Sequence, residues 1–160
     1  MPAAAAPRIL VDADACPVKD EVYKVAFRHQ VAVTIVSNSP IRVPAHPLIE
    51  RVTVGSGFDA ADDWIADRAD AGAVVVTGDI LLADRCLKKG AAAVVAPNGR
   101  PFTAASIGAV VATRAIMADL RAGADGIAGG PPPFAKADRS RFLSALDEAL
   151  VRLKRRPSST

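Results

Sequence analysis

The chain has 160 residues, enough for one domain with its own core. It is 51% apolar but only 4% aromatic, and its formal net charge of +3 permits nucleic-acid contact without demanding it. Two cysteines in unlike contexts, Cys16 and Cys86, exclude a disulfide framework and a zinc cluster, and no apolar run is long enough to span a bilayer.

Residues 1–7, rich in Ala and Pro, are expected to be a disordered leader without the pattern of a signal peptide, so the expected compartment is the cytoplasm. Residues 9–11 form a short apolar strand. Val18, Val22, Val25, Ala26 and His29 recur at helical spacing, which predicts a helix over 17–30 with Pro17 near its first turn. Residues 31–36 are rich in β-branched side chains and predict a strand, ended by Ser37-Asn38-Ser39-Pro40. Residues 49–54 alternate as a strand that Gly55-Ser56-Gly57 closes, and Asp59 is placed to cap a helix through 71. A strand at 73–77, a helix over 80–89 stopped by Gly90, and a weaker strand at 92–96 follow. Pro97-Asn98-Gly99 turns the chain into a long helix over 103–122, and residues 123–135 read as a Gly/Pro loop. Asp138 is expected to cap a last amphipathic helix over 138–155, packed on the domain by Phe142, Leu146, Leu150 and Leu153. Strands alternate with helices throughout, so the fold class is α/β, one domain with a mainly parallel sheet and helices on both faces.

The chemistry concentrates in carboxylates. Asp12 and Asp14 follow the first apolar strand, and Gly78-Asp79 follows a second. Strand carboxyl ends are where open α/β sheets keep their sites. On the helix from 59, Asp59, Asp62 and Asp63 share one arc. Each acid alone has an ordinary explanation. Asp59 could cap and, with Asp62 and Asp63, favour a helix N-terminus, and Asp14 could cap the helix near Pro17. Together they would repel one another unless a hard divalent cation, Mg²⁺ or Mn²⁺, neutralised them. Cys16 reads as a small packed residue, His29 as a satisfied histidine on an apolar helix face, and His46 as a loop residue. Lys19, Arg100, Arg139 and Arg141 are available to phosphates, although ordinary surface charge explains each of them. Neither a G-x-G-x-x-G nor a P-loop motif is present.

The motifs Asp12-Ala13-Asp14-Ala15-Cys16-Pro17-Val18-Lys19, Gly57-Phe58-Asp59-Ala60-Ala61-Asp62-Asp63 and Thr77-Gly78-Asp79-Ile80-Leu81-Leu82-Ala83 resemble the YaiI/YqxD family. So do Lys89-Gly90-Ala91, Gly130-Pro131-Pro132-Pro133-Phe134 and Asp138-Arg139-Ser140-Arg141-Phe142. That family is a branch of the PIN-domain-like superfamily, and the likeness runs from residue 9 to about 150. It implies a three-layer Rossmann-like sandwich with strand order 3-2-1-4-5, which would set Asp12 beside Asp79. It also implies a metal-dependent nuclease that holds Mg²⁺ or Mn²⁺ between acids and hydrolyses phosphodiester bonds in RNA or DNA. On this reading Asp12, Asp14 and Asp79 are catalytic. The metal set would be Asp12, Asp79, one of Asp62 and Asp63, and Asp84 as the only candidate for a fourth acid. Lys19, Asn38, Thr77, Arg139 and Arg141 would engage phosphates or the nucleic-acid backbone. The family usually carries proline where Leu81 stands.

Two other readings remain open on the sequence. Asp12-x-Asp14, Val36-Ser37-Asn38 and Gly78-Asp79 with Asp84 mimic a haloacid-dehalogenase-type phosphatase, yet no lysine lies between Asn38 and Gly78. The weak fourth acid favours a metal- or nucleic-acid-binding module without turnover.

Overall fold

The computed structural model describes residues 6–55, 57, 59–109 and 135–155. The chain runs β1 (Arg8–Asp12), a 3-10 turn (Ala13–Ala15), α1 (Lys19–His29), β2 (Ala32–Ser37), β3 (Ile49–Thr53), α2 (Ala60–Arg68), β4 (Ala73–Val76), α3 (Ile80–Lys89), β5 (Ala93–Val95) and α4 (Lys136–Arg155). Residues 104–109 are helical too. The expected leader over 1–5, the remainder of the 103–122 helix and all of the Gly/Pro loop but residue 135 lie outside the described residues.

All five strands are parallel, in the order β3-β2-β1-β4-β5. The fold class and strand order are as expected. Alternation along β1 divides the core into two layers. Ile9 and Val11 pack with α1 and α4 on one face, and Leu10 packs with α2 and α3 on the other. Every residue of β4 is buried, because a central parallel strand is covered on both faces and therefore reads as an unbroken apolar run. The scarcity of aromatics is met by Val, Ile and Ala layers, with Phe142 the bulkiest fully buried side chain among the described residues.

Helix boundaries depart from expectation for local reasons. A 3-10 turn separates β1 from α1, so α1 begins at Lys19 and Pro17 stays outside it. Gln30 closes α1 in the left-handed conformation at φ 55°, and Gly90 closes α3 at φ 103°. The second helix stops at Arg68 instead of 71. Beyond it, the Asp70 carboxylate accepts the Gly72 N–H and an Arg8 guanidinium N–H, both at 2.9 Å, which turns the chain into β4.

The last helix starts at Lys136, so Asp138 is its third residue and not its cap. From there the carboxylate reaches back to accept the Ala135 N–H at 2.9 Å, one half of a capping box. Phe142, Leu146, Leu150 and Leu153 form the buried stripe that was expected, each contributing about 1.5–3 kcal/mol by burial. Polar contacts fasten α4 to α1: His29 Nε2 lies 2.7 Å from Asp147 Oδ1, and Lys154 Nζ donates to the His29 carbonyl at 2.7 Å. His29 is thus the satisfied histidine the pattern suggested. At its other end α4 passes so close to the 97–99 turn that a Cβ on Gly99 would lie 2.6 Å from the Arg141 carbonyl carbon.

Candidate functional site

From β1 the chain passes to β2 and β3 on one side and then crosses to β4 on the other. This makes the carboxyl ends of β1 and its neighbours a topological switch point, where a crevice forms between diverging connections. An open cleft of about 370 Å³ lies there, lined by Asp12, Asp14, Asn38, Ala61, Asp62, Gly78 and Asp79. Four carboxylates and no lysine or arginine border it among the described residues. The small residues Ala61 and Gly78 leave the space between the acids open.

Asp12 is the last residue of β1, paired in register with Val36 of β2. Its Oδ2 accepts the hydroxyl of Thr77, the residue after β4, at 2.9 Å. The same hydroxyl oxygen accepts the Asp79 N–H at 3.0 Å. Thr77 is 1% exposed, so its single proton is committed to Asp12. The 3-10 turn then carries Asp14 across to β2, where its carboxylate oxygens accept the Asn38 N–H at 3.0 and 3.3 Å. Asp14 therefore braces a loop and does not cap a helix.

Asp79 is the N-cap of α3, and its Oδ1 accepts the N–H groups of Leu81 and Leu82 at 2.9 and 3.4 Å. Sequence reasoning assigned the capping to Asp59, which does hold the N-cap position of α2 but makes no side-chain cap hydrogen bond. Both aspartates precede helical patterns. Which one turns its carboxylate onto the helix depends on backbone angles that the pattern does not encode.

Electrostatics mark the cleft as strained for anions. Asp62 is pushed up to about 6, first by desolvation and then by the charges of Asp12, Asp79 and Asp59. Asp12 is also raised, mainly by burial, with the Thr77 hydrogen bond opposing and Asp14 and Asp79 adding to the rise. All the side-chain donors are oxygens, the type that suits hard cations. Oδ1 of Asp12 and Oδ2 of Asp79 accept no hydrogen bond among the described residues. No three His, Cys, Asp or Glu side chains among the described residues form a ready metal-ligating cluster. The acids share a cleft but stand apart within it.

Several expected members fall elsewhere. Of the pair Asp62 and Asp63, it is Asp62 that lines the cleft, while Asp63 is exposed and pairs with Arg85 at 2.9 Å. Adjacent helical residues sit ~100° apart, so only one of the two can face the sheet end. Asp84, one turn into α3, pairs with Lys88 at 2.9 Å and does not border the cleft. Lys19 Nζ donates to the Cys16 carbonyl at 2.9 Å. Arg139 donates to the Pro17 carbonyl at 2.8 Å and to Glu21 at 3.3 Å, and Arg141 pairs with Asp138. Lys19 and Arg141 thus make local contacts and Arg139 ties α4 to the start of α1, and none of the three borders the cleft. Asn38 does border it, but both its backbone N–H and its side-chain amide donate to the protein. Cys16 is buried, and its thiol is raised chiefly by that burial, in keeping with a packed residue. Gly78 and Ala61 were missed as lining residues; the only signal was their smallness beside the acids.

Fold and cleft define a parallel α/β sandwich with a carboxylate site at its strand ends. The chain belongs to the family described as uncharacterized BCR, YaiI/YqxD family, whose model matches residues 10–152. It is 71% identical over 150 residues to a UPF0178 protein of Sphingopyxis alaskensis, covering 94% of this chain and 97% of that one. A UPF0178 protein of Rhodopseudomonas palustris is 63% identical over 93% of each chain. One from Bradyrhizobium diazoefficiens is 61% identical, over 93% of this chain and 88% of its own. No solved structure matches significantly. No described helix is long and apolar enough to cross a membrane.

Proposed function

We propose that Asp12, Asp62 and Asp79 hold Mg²⁺ or Mn²⁺ and that the protein hydrolyses phosphodiester bonds in RNA or DNA. The gathering of four carboxylates around one cleft, with no lining cation among the described residues, is the observation that carries this reading. Burial first and the neighbouring carboxylates second raise Asp62 and make its charged form costly at neutral pH, and a divalent cation would offset that cost. The spread of the acids suits an ion that keeps several waters and uses few protein ligands plus a substrate phosphate, not a closed protein cage. The resemblance to PIN-like proteins supports the same chemistry.

When bound, the ion would supply positive charge to the scissile phosphate and lower the pKa of a water. The chain's own groups do the rest. Thr77 holds Asp12 by one oxygen and opposes the rise that burial imposes on its carboxyl, leaving Oδ1 to ligate. The first turn of α3 holds Asp79 by Oδ1, leaving Oδ2. Asp14 accepts only the Asn38 N–H among the described residues, so it retains lone pairs to accept a hydrogen bond from the attacking water and orient it. With no arginine or lysine on the cleft lining among the described residues, contact with a substrate phosphate would rest on the bound ion, a contact that carries no sequence information.

The test is cleavage of a mixed RNA and DNA panel by purified protein in Mn²⁺, in a chelator, and with Asp12→Asn. Cleavage that needs the ion and drops at least about 100-fold in the variant is expected. Equal activity in the variant would contradict the proposal. Tight Mn²⁺ binding with no cleavage of any substrate would establish the binding-module reading instead.

A further inference from the structure

The third ligand of the proposed set stands on a different footing from the other two. Asp12 and Asp79 are held against each other through Thr77. Asp62 rides on α2, which follows the loop after β3. The position of that helix start relative to the strand ends therefore decides whether three acids can share one ion.

Asn38 is the residue that ties these pieces together. It follows β2 directly, and its N–H is accepted by Asp14, two residues beyond the end of β1. Its side-chain Nδ2 donates in the other direction, to the carbonyls of Gly55 at 3.2 Å and Gly57 at 3.4 Å. The Gly57 carbonyl also accepts the Ala60 N–H at 3.2 Å, at the first residue of α2. One residue thus links three strand ends, its backbone N–H to the segment after β1 and its side-chain amide to the turn from which α2 begins. A phosphate-binding role would require those donors to leave their present acceptors.

We propose that Asn38 is a positioning residue that sets the α2 carboxylate against Asp12 and Asp79, and so tunes the affinity of the site for a divalent cation. This rests on the metal site proposed above. Groups outside the ligand set that orient ligands commonly change metal affinity by about 10–100-fold when removed. Without the Asn38 amide, two carbonyls of a short glycine-bearing loop lose their common donor, and the approach of α2 is no longer fixed from that side.

The experiment titrates Mn²⁺ by electron paramagnetic resonance into wild type, Asn38→Ala, and Asn98→Ala. Asn98 is a turn asparagine in the 97–99 turn whose Oδ1 accepts the Arg100 N–H, and it serves as a control for loss of a surface amide. The melting temperature of each metal-free protein is recorded alongside. The expected result is a Kd for Mn²⁺ raised at least about tenfold in Asn38→Ala, unchanged in Asn98→Ala, with both metal-free variants melting close to wild type. Should Asn38→Ala fail to fold, Asn38→Ser, too short to reach both carbonyls, is measured in its place. Equal affinity in wild type and the Asn38 variant overturns the positioning role while leaving the metal site intact. No Mn²⁺ binding by wild type overturns the metal site and this inference with it.

Discussion

Replacing Asp62 by Asn should stabilise the metal-free protein, and only above a particular pH. The carboxyl of Asp62 titrates near 6 in the folded protein against an ordinary 3.8. A group whose pKa is raised on folding contributes stability that is fully present below its unfolded pKa and is lost as pH rises through the folded value. Two units correspond to a ceiling of about 3 kcal/mol, and because the side chain is only partly buried, screening by solvent reduces this to about 1 kcal/mol. Wild type therefore loses about 1 kcal/mol between pH 4 and 7 that Asp62→Asn keeps. For a chain of this length that is a melting-temperature gap of about 2–4 °C in favour of the variant. Thermal melts in chelator at half-unit steps from pH 4.5 to 8 measure it. The gap should open through pH 6 and level off above 7. A constant gap, or a variant less stable than wild type at pH 8, would refute the idea that burial and the neighbouring acids disfavour the Asp62 carboxylate. In Mn²⁺ the ranking should reverse, since wild type alone retains the full ligand set.

Other perturbations test the supporting architecture. Thr77→Val strips the hydroxyl from between Asp12 and Asp79 at a buried position and should cost about 1–3 kcal/mol in chemical denaturation, whereas Thr77→Ser should cost no more than about 1 kcal/mol. Gly99→Ala and Gly90→Ala both load a left-handed position, at φ +89° and +103°, but only the former meets Arg141 backbone. Denaturation should show at least about 2 kcal/mol for Gly99 and about 1–2 kcal/mol for Gly90, and equal losses would contradict the close packing of α4 on the turn. Phe142→Ala empties a fully buried site at the α1–α4 seam and should destabilise by about 3–5 kcal/mol in the same assay.

Much of this architecture is legible in the residues because one signal dominates each element. Ala73 to Val76 is apolar without interruption, which only a buried strand or helix explains, and its brevity selects the strand. Residues 80–89 match the predicted helix in full, stopped by the glycine that stands in the sequence, while the capping by Asp79 emerges only in the structure. What stayed hidden depends on contacts distant in the chain. The choice between Asp62 and Asp63 needs the face of α2 that meets the sheet, and Arg85, 22 residues on, is what removes Asp63. Arg139 and Lys19 look like available cations until the Pro17 and Cys16 carbonyls that hold them are seen. Asn38 looks like a turn residue, and its link to Gly55 and Gly57 is created by the parallel pairing of β2 with β3. The strand-end positions of Asp12 and Asp79 are legible in the residues, and their adjacency follows from the strand order that the family resemblance implied and the fold has.

The central claim is that acids distant in sequence meet at one sheet edge and are reconciled by a divalent cation. Crystals soaked in Mn²⁺ and measured at the manganese absorption edge test it most directly. The account predicts an anomalous peak within ~2.0–2.4 Å of carboxylate oxygens from Asp12, Asp79 and Asp62. A map with no peak in the cleft at millimolar Mn²⁺, or a peak held by other residues, would contradict it.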